Sequence, residues 1–205
     1  MEPAAPAKPP ALPETVVCRG ERFRLYLDEA TIQARVRALA RQISADYAEA
    51  TEAGSPPIFV GVLNGAFVFM SDLVRAVTID CEVDFYKLSS YGAAKVSSGA
   101  VTELKGVDAD LRGRHVVVVE DIVDTGLSMR YVLDRIGALG PASLRAAALL
   151  RKPDAAEVDV ALDYVGFDIP DLFVIGYGLD YGQLARNLRA VYILDAGGGA
   201  DRDGA

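Results

Sequence analysis

Helical and strand-like hydrophobic patterns alternate along most of this chain. Apolar residues recur at helical spacing from Asp28 to about Thr51, which predicts one long helix with Asp28 as its N-cap. Strands that alternate with helices predict an α/β fold with a mostly parallel central sheet flanked by helices. The other predicted helices span residues 66–77 and 127–139, and the predicted strands are 58–63, 82–88, 116–119, 143–150, 172–175 and 190–194.

The segment 82–88 and the residues after it carry two more specific expectations. Alternation within the segment predicts that Val83, Phe85 and Tyr86 pack against the core. Residues 89–100 are rich in serine, glycine and alanine and contain few apolar anchors, so we expect a mobile loop or flap there.

The length and the end segments predict one domain with two tails. A chain of 205 residues is long enough for a single α/β domain with a substantial core, and no repeat or linker divides it. Residues 1–14 are rich in proline and alanine, and residues 196–205 are rich in glycine, so we expect both segments to be disordered. The domain is therefore expected to span residues 15–195.

Charge, hydropathy and cysteine usage argue against several classes of partner. A net charge of −8 without a lysine or arginine block disfavours nucleic acid as the main partner. The strongest apolar run, 58–70, is interrupted by Asn64 and Gly65 and is shorter than the roughly 20 residues that a membrane helix needs, so no membrane partner is expected. Cys18 and Cys81 are not in metal-ligand spacing, which predicts free thiols in a reducing cytoplasm.

The segment 116–129 carries the clearest candidate chemistry. Its apolar strand leads into two adjacent acids, Glu120 and Asp121, and the turn 124–128 then opens a helix. The helix N-terminus offers unpaired N–H groups to a phosphate, while the acids can hold a divalent metal or bind ribose hydroxyls. Helix capping alone would need fewer polar residues than this turn contains. An aspartic protease is disfavoured because its Asp-Thr-Gly needs an all-β setting and a second copy. A Walker A phosphate site is excluded because its sequence pattern does not occur.

The same segment resembles the signature of the type I phosphoribosyltransferases. Its sequence Glu-Asp-Ile-Val-Asp-Thr-Gly resembles the motif of the hypoxanthine-guanine phosphoribosyltransferases in particular. The resemblance covers about residues 20–195 and implies the type I phosphoribosyltransferase fold, with a core over about 28–150 and a small hood lobe from the N-terminal segment and about 151–190. Further segments that resemble this family, in the same order, are 62–65, 88–92, 149–153, 164–171 and 176–181.

The resemblance implies an enzyme of purine salvage. Such an enzyme transfers the 5-phosphoribosyl group of phosphoribosyl pyrophosphate (PRPP) to hypoxanthine or guanine, gives IMP or GMP plus pyrophosphate, and uses Mg²⁺. It implies a homodimer or homotetramer. One alternative is a PRPP- or nucleotide-sensing regulator on the same fold, which tends to lose the acid at position 124 or to carry a basic surface; Asp124, Lys152 and the net charge of −8 favour the enzyme. A xanthine-preferring enzyme is the other alternative.

The resemblance also assigns roles to individual residues. Asp124 is expected to be the catalytic acid or base that handles the purine N7 proton, and Lys152 to donate to the 6-oxo group. Where some relatives have a lysine, this chain has Asn64, so we expect backbone groups to bind pyrophosphate there more than charge does. The family has a cis peptide bond at the position of Leu63–Asn64.

The remaining assignments are grouped by ligand. PRPP and its 5-phosphate are assigned to Glu120, Asp121, Asp124, Thr125, Gly126, Leu127 and Ser128. Pyrophosphate is assigned to Asn64, Gly65 and Arg186, and the metal to Glu120, Asp121 and Asp180. The purine is assigned to Lys152, Phe173, Val174 and Asp180, and the cover over the site to Ser90 and Tyr91.

Overall fold

The computed structural model describes residues 11–90 and 101–195, except for the side chains of 89, 90, 101 and 102. The described helices are α1 Glu29–Glu52, α2 Phe67–Ala76 and α3 Leu127–Gly137. The described strands are β1 Thr15–Cys18, β2 Glu21–Leu27, β3 Ile58–Leu63, β4 Glu82–Ser90, β5 Val101–Lys105, β6 His115–Val123, β7 Ser143–Arg151, β8 Tyr164–Asp168, β9 Val174–Ile175 and β10 Val191–Leu194.

Six strands form the larger sheet, in the order β5-β4-β3-β6-β7-β8. Every neighbouring pair is parallel except β4 with β5. Successive residues of β6 bury on opposite faces: Val117 and Val119 lie with the apolar faces of α1 and α2, while Val116 and Val118 lie with α3. This two-sided burial explains the unbroken valine run. The predicted α/β fold with a mostly parallel, helix-flanked sheet is confirmed.

The long helix begins where its sequence predicts. Asp28 is the N-cap of α1, and its carboxylate accepts the N–H of Thr31 at 2.7 Å. The buried side of α1 repeats every three to four residues, as its hydrophobic pattern predicts. Its buried residues are Ile32, Val36, Leu39, Ala40, Ile43, Ser44 and Tyr47.

A smaller antiparallel sheet, the hood sheet, has the order β1-β2-β10-β9 and therefore joins the two ends of the described chain. It packs around Phe23, Ile175 and Tyr192. Its second half begins only after β8, because β8 pairs with β7 in the larger sheet. The expected hood segment of about 151–190 stays a prediction; among the described strands, β8 lies in the larger sheet and β9 and β10 lie in the hood sheet. Pro13, placed in the N-terminal tail by the sequence, accepts a hydrogen bond from Tyr192 at 3.1 Å.

Strand β4 differs from its predicted packing. Val83 is 47% exposed, whereas Asp84 is only 8% exposed, so the prediction that Val83 packs inward is wrong. The Asp84 carboxylate accepts the backbone N–H groups of Phe85, Asp108 and Ala109 at 2.6, 2.7 and 2.9 Å. Burial opposes ionisation of this carboxyl, but the three donors still lower its pKa. A buried polar residue with backbone partners cannot be recognised from hydrophobic alternation.

Of the predicted flap over 89–100, Ser89 and Ser90 end strand β4, and residues 91–100 lie outside the described residues. Strand β5, which pairs with β4 from the other side of that segment, was not predicted, since Leu104 within it is exposed and its apolar signal is weak. Within the described ranges, no helix is long and apolar enough to cross a bilayer.

Candidate active site

The candidate site lies at the carboxyl edge of the larger sheet, where α/β proteins bind ligands. Strand β6 is longer than the predicted 116–119 because its pairing with β7 continues as far as Val123↔Arg151. Glu120 and Asp121, the acid pair, therefore lie within the strand. Strands β3 and β7 run parallel to β6 and end at the same edge, at Leu63 and Arg151. The segments that follow these strands therefore lie close together there.

The phosphate loop, residues 124–128, connects β6 to α3. Gly126 is the N-cap of α3 in a left-handed conformation, φ 85°, and makes no side-chain cap. The Thr125 carbonyl accepts the N–H groups of Glu157 and Val158 at 3.0 and 3.1 Å, which fixes the loop. The N–H of Leu127 donates to Thr125 Oγ1 at 3.4 Å. The next N–H groups, of Ser128 and Met129, precede the first helical hydrogen bond of α3, from Arg130 to Gly126, and can therefore bind an anion. A cleft opens here, lined by Glu120, Ile122, Val123, Asp124, Thr125, Gly126, Ser128 and Met129.

The acid pair has little contact with water: Glu120 is buried and Asp121 is partly buried. Glu120 is 8% exposed, and its Oε2 has no hydrogen-bond partner among the described residues. Burial, with Asp121 beside it, raises the pKa of Glu120 to about 8. Burial also raises the pKa of Asp121 to about 6; Arg186 opposes that rise and Asp180 adds to it. An orphaned buried oxygen is costly in the free protein, which indicates a site shaped for an added polar ligand.

The raised pKa of Glu120 predicts a pH dependence of stability. The pKa is higher in the folded protein (about 8) than its ordinary 4.5, so the folded state holds this proton more tightly. The free energy of unfolding should therefore fall as pH rises from about 4.5 to about 8. We expect Glu120→Gln to remove most of this decrease in the free energy of unfolding at the upper end of the pH range, above the range in which Asp121 titrates. Urea unfolding between pH 5 and about 8.5 measures it.

Glu49→Gln, an exposed acid on α1, is the control and should leave the pH slope unchanged. A Glu120→Gln slope equal to that of the original chain would contradict the assignment of this buried proton to Glu120.

Residues predicted to bind pyrophosphate lie together with Asp121. The peptide bond between Leu63 and Asn64 is cis, as the resemblance implied. Gly65 lies so close to Asp121 that a Cβ on the glycine would be 1.9 Å from the carboxylate Oδ2. Across from them, Arg186 forms an ion pair with Asp180 at 2.7 Å and donates to the Gly178 carbonyl at 2.7 Å.

The close approach of Gly65 predicts the effect of adding one methyl group. In Gly65→Ala, the Asp121 carboxylate would have to leave its position, because the new Cβ would overlap it. We expect the KM for PRPP to rise about tenfold with a smaller change in the KM for the purine. Steady-state kinetics with each substrate varied in turn measures both constants. Gly137→Ala is the control for the substitution itself, because Gly137 has no positive φ and its Cβ would make an ordinary contact of 3.6 Å with Leu144.

Lys152 joins the phosphate loop to the predicted purine segment. Its side chain is buried (6% exposed), and its ammonium donates to Asp124 Oδ2 at 2.9 Å and to Asp171 Oδ1 at 3.2 Å. The backbone N–H of Lys152 donates to Val123, which ties the residue to the end of β6. Asp171 received no role from the sequence, although it lies in a segment that resembles the family. The signal that identifies it is this contact with a buried cation.

Of the other three predicted purine residues, Phe173 and Val174 lie in the hood, and Asp180 forms the ion pair with Arg186. Phe173 is 43% exposed, and its ring lies edge-on to Tyr181 at 5.2 Å and tilted to Phe23 at 6.1 Å. Val174 is buried in β9 beside Ile193. An exposed ring that neighbouring aromatic rings hold in place is suited to stacking on a planar ligand. The predicted cover residue Tyr91 lies outside the described residues, and of Ser90 only its place at the end of β4 is described.

The carboxylates present fit a metal shared with a ligand better than a metal held by protein alone. Over residues 11–90 and 101–195, no group of three or more histidine, cysteine, aspartate or glutamate side chains could hold a metal ion. The orphaned Glu120 oxygen, Asp121 and Asp180, which are the residues predicted to bind the metal, nevertheless supply hard oxygen donors. Mg²⁺ commonly takes one or two protein carboxylates together with waters and substrate phosphates, so the donor set is compatible with it.

Comparisons with known proteins agree with this geometry. The family model described as "Phosphoribosyl transferase domain" matches residues 26–182. The hypoxanthine-guanine phosphoribosyltransferase of Mycobacterium avium is 44% identical over 177 residues, which cover 86% of this chain and 87% of that protein. The hypoxanthine phosphoribosyltransferase of Salmonella typhimurium is 46% identical over 164 residues, covering 80% and 90%. A crystal structure of the hypoxanthine-guanine phosphoribosyltransferase of Bacillus anthracis, with a HEPES molecule in the active site, superimposes with a TM-score of 0.76 at 37% identity and covers 83% of this chain and 98% of that one.

Proposed function

Because the chain belongs to the hypoxanthine-guanine phosphoribosyltransferases, within the phosphoribosyl transferase domain family, we propose that it is a purine salvage enzyme. It transfers the 5-phosphoribosyl group of PRPP to hypoxanthine or guanine and produces IMP or GMP plus pyrophosphate. The family and the type I fold predicted from the motifs are confirmed. The roles of individual residues that follow are part of the proposal.

One observation carries the proposed reaction: a buried ammonium lies against an acid of the phosphate loop. The Lys152–Asp124 contact of 2.9 Å joins the candidate purine donor to the candidate proton acceptor. A purine placed against Lys152 is therefore also next to the loop that would hold the ribose 5-phosphate. This adjacency is what the transfer of a phosphoribosyl group to a purine nitrogen requires.

The PRPP half of the site would be built from the phosphate loop and the acid pair. The N–H groups at the start of α3 and the hydroxyls of Thr125 and Ser128 would bind the 5-phosphate. Glu120 and Asp121 would accept the ribose hydroxyls, which gives the orphaned Glu120 oxygen a partner. Substitution at the anomeric carbon passes through an oxocarbenium-like state, and nearby carboxylates would stabilise that positive charge.

The purine half would be built around Lys152. An ammonium has three N–H donors, of which two are directed at Asp124 and Asp171, so the third can donate to a 6-oxo group. A 6-amino group would instead face another donor, which disfavours adenine. Asp124 would take the N7 proton as the new bond forms at N9, and Phe173 would stack on the base.

Within the PRPP half, the pyrophosphate region would combine backbone groups with a charged side chain. The backbone around Asn64 and Gly65 would bind the diphosphate, with Arg186 adding a guanidinium. Glu120, Asp121 and Asp180 would hold Mg²⁺, which would supply positive charge to stabilise pyrophosphate as it leaves. The ion pair between Arg186 and Asp180 supports this proposal, because it keeps the two side chains together.

A direct assay tests the proposal. The protein is incubated with PRPP, Mg²⁺ and either hypoxanthine, guanine, xanthine or adenine, and nucleotide and pyrophosphate are measured. We expect IMP and GMP, with EDTA abolishing product and adenine giving none above background. Product from xanthine alone would favour the xanthine-preferring alternative. Binding of PRPP without product from any base would favour the regulator.

Two further expectations accompany the proposed function. Both cysteines are free in the structure, which supports a cytoplasmic location. A homodimer or homotetramer remains a prediction of the family resemblance, and sedimentation equilibrium would measure it.

A further inference from the structure

A tight turn after β9, residues 176–179, has an uncommon backbone. Gly176 and Leu179 exchange two backbone hydrogen bonds at 3.0 and 3.1 Å. Between them, Tyr177 and Gly178 both have positive φ, 50° and 102°. Positive φ at both central positions is the pattern of a type I′ turn, in which glycine, asparagine and aspartate are the common residues. A tyrosine at the first of these positions is disfavoured and persists only where the surrounding structure holds it.

A partly buried hydrogen-bond network holds this tyrosine. The Tyr177 hydroxyl donates to Asp72 Oδ2 on α2 at 2.6 Å. Gln33 of α1 donates to the same carboxylate oxygen and lies 3.4 Å from the Tyr177 hydroxyl. Burial, followed by the contact with Asp72, raises the pKa of Tyr177, so the phenol remains a donor. The side chain thus joins the turn to both helices on one face of the larger sheet.

The turn contacts both parts of the proposed pyrophosphate site. A Cβ on Gly178 would lie 2.2 Å from the carbonyl oxygen of Gly65, so the two backbones are in direct contact. The Gly178 carbonyl also accepts a hydrogen bond from Arg186 at 2.7 Å, and Arg186 forms the ion pair with Asp180.

Helix α2 starts two residues after Gly65 and also carries Asp72, so it connects these two residues. The hydrogen bond between Tyr177 and Asp72 therefore links Gly65 on the core side to Arg186 on the other.

We propose that Tyr177 is a positioning residue for the diphosphate of PRPP. Its hydrogen bond to Asp72 fixes the turn 176–179, and the turn holds the backbone of Gly65 and the guanidinium of Arg186 at the separation that the diphosphate needs. Tyr177 itself does not touch substrate. This inference rests on the proposed function, and it adds a residue outside the set that the sequence assigned.

The test removes only the hydroxyl. In Tyr177→Phe the ring still packs, so we expect the KM for PRPP, and for pyrophosphate in the reverse reaction, to rise about tenfold while the KM for hypoxanthine changes less than about twofold. Asp72→Asn keeps an acceptor oxygen and should stay near the original values. Asp72→Leu should match Tyr177→Phe, and the double variant should be no worse than either, since both changes break one interaction.

Tyr47→Phe is the matched control. Tyr47 is also a buried tyrosine, it lies on α1 next to His115, and its hydroxyl has no partner in the described part of the chain. It should leave both KM values unchanged. An equal rise of the two KM values in Tyr177→Phe, or a lower melting temperature with an unchanged KM for PRPP, would overturn the positioning role. Absence of transfer by the unsubstituted chain would instead refute the proposed function.

Discussion

Asp124→Asn should lower kcat by about 10²- to 10⁴-fold, the usual contribution of a general acid or base. Asparagine has the same shape and still offers an oxygen to Lys152, so the 2.9 Å contact can persist. It cannot take up the purine N7 proton, because an amide is not basic at neutral pH. We expect the phosphate loop to bind PRPP mainly through backbone N–H groups, so PRPP affinity should change only a few-fold. Steady-state kinetics and calorimetry with Mg²⁺ and PRPP separate the two effects.

Asp171→Asn is the control for this prediction because Asp171 accepts the second hydrogen bond of the same ammonium. The two variants disturb Lys152 in similar ways, but only one removes the proposed proton acceptor. Asp171→Asn should therefore keep kcat within a few-fold of the original. Equal losses in the two variants would mean that Asp124 acts through Lys152 and not through proton transfer.

The sequence could predict the layered fold because its signals are local. The valine run of β6 and the helical spacing after Asp28 each depend on neighbouring residues, and both elements form as expected. Signals that depend on distant partners were missed. Asp84 is buried because backbone N–H groups of residues 108 and 109 reach it, and β8 joins the larger sheet only because β7 offers a free edge. The hydrophobic pattern of neither segment predicts these contacts.

The candidate site likewise has parts that the local sequence predicts and parts that depend on distant residues. The acid pair and the phosphate loop are contiguous in sequence, so a strand-turn-helix pattern was enough to identify them. Asp171 and Tyr177 lay inside segments that resemble the family and yet received no role, because their partners, Lys152 and Asp72, are 19 and 105 residues away. The ion pair between Arg186 and Asp180 likewise could not be predicted from the sequence. Charge and strain at a site are properties of tertiary neighbours, which a single sequence does not show.

Lys152→Met should reduce kcat/KM for hypoxanthine and guanine by about 10- to 100-fold, the usual loss when a charged hydrogen bond is removed. Methionine fills a similar volume, and both Asp124 and Asp171 are exposed enough to be solvated once the ammonium is gone. The stability of the fold should therefore change little. The KM for PRPP should stay within a few-fold, since Lys152 is expected to contact only the base. Because a methionine neither favours a 6-oxo nor repels a 6-amino group, discrimination against adenine should weaken.

Arg151→Met is the matched control because Arg151 is the preceding residue on β7 and also a cation paired with an acid. Its guanidinium binds the Asp168 carboxylate through two contacts of 2.6 and 2.8 Å at a more exposed position. Removing it should leave kcat/KM for the purines within about threefold, as expected for a surface ion pair. Equal losses in Arg151→Met and Lys152→Met would show that the end of β7 matters for local order alone. A loss confined to Lys152→Met, together with weaker rejection of adenine, would place the ammonium against the 6-position of the base.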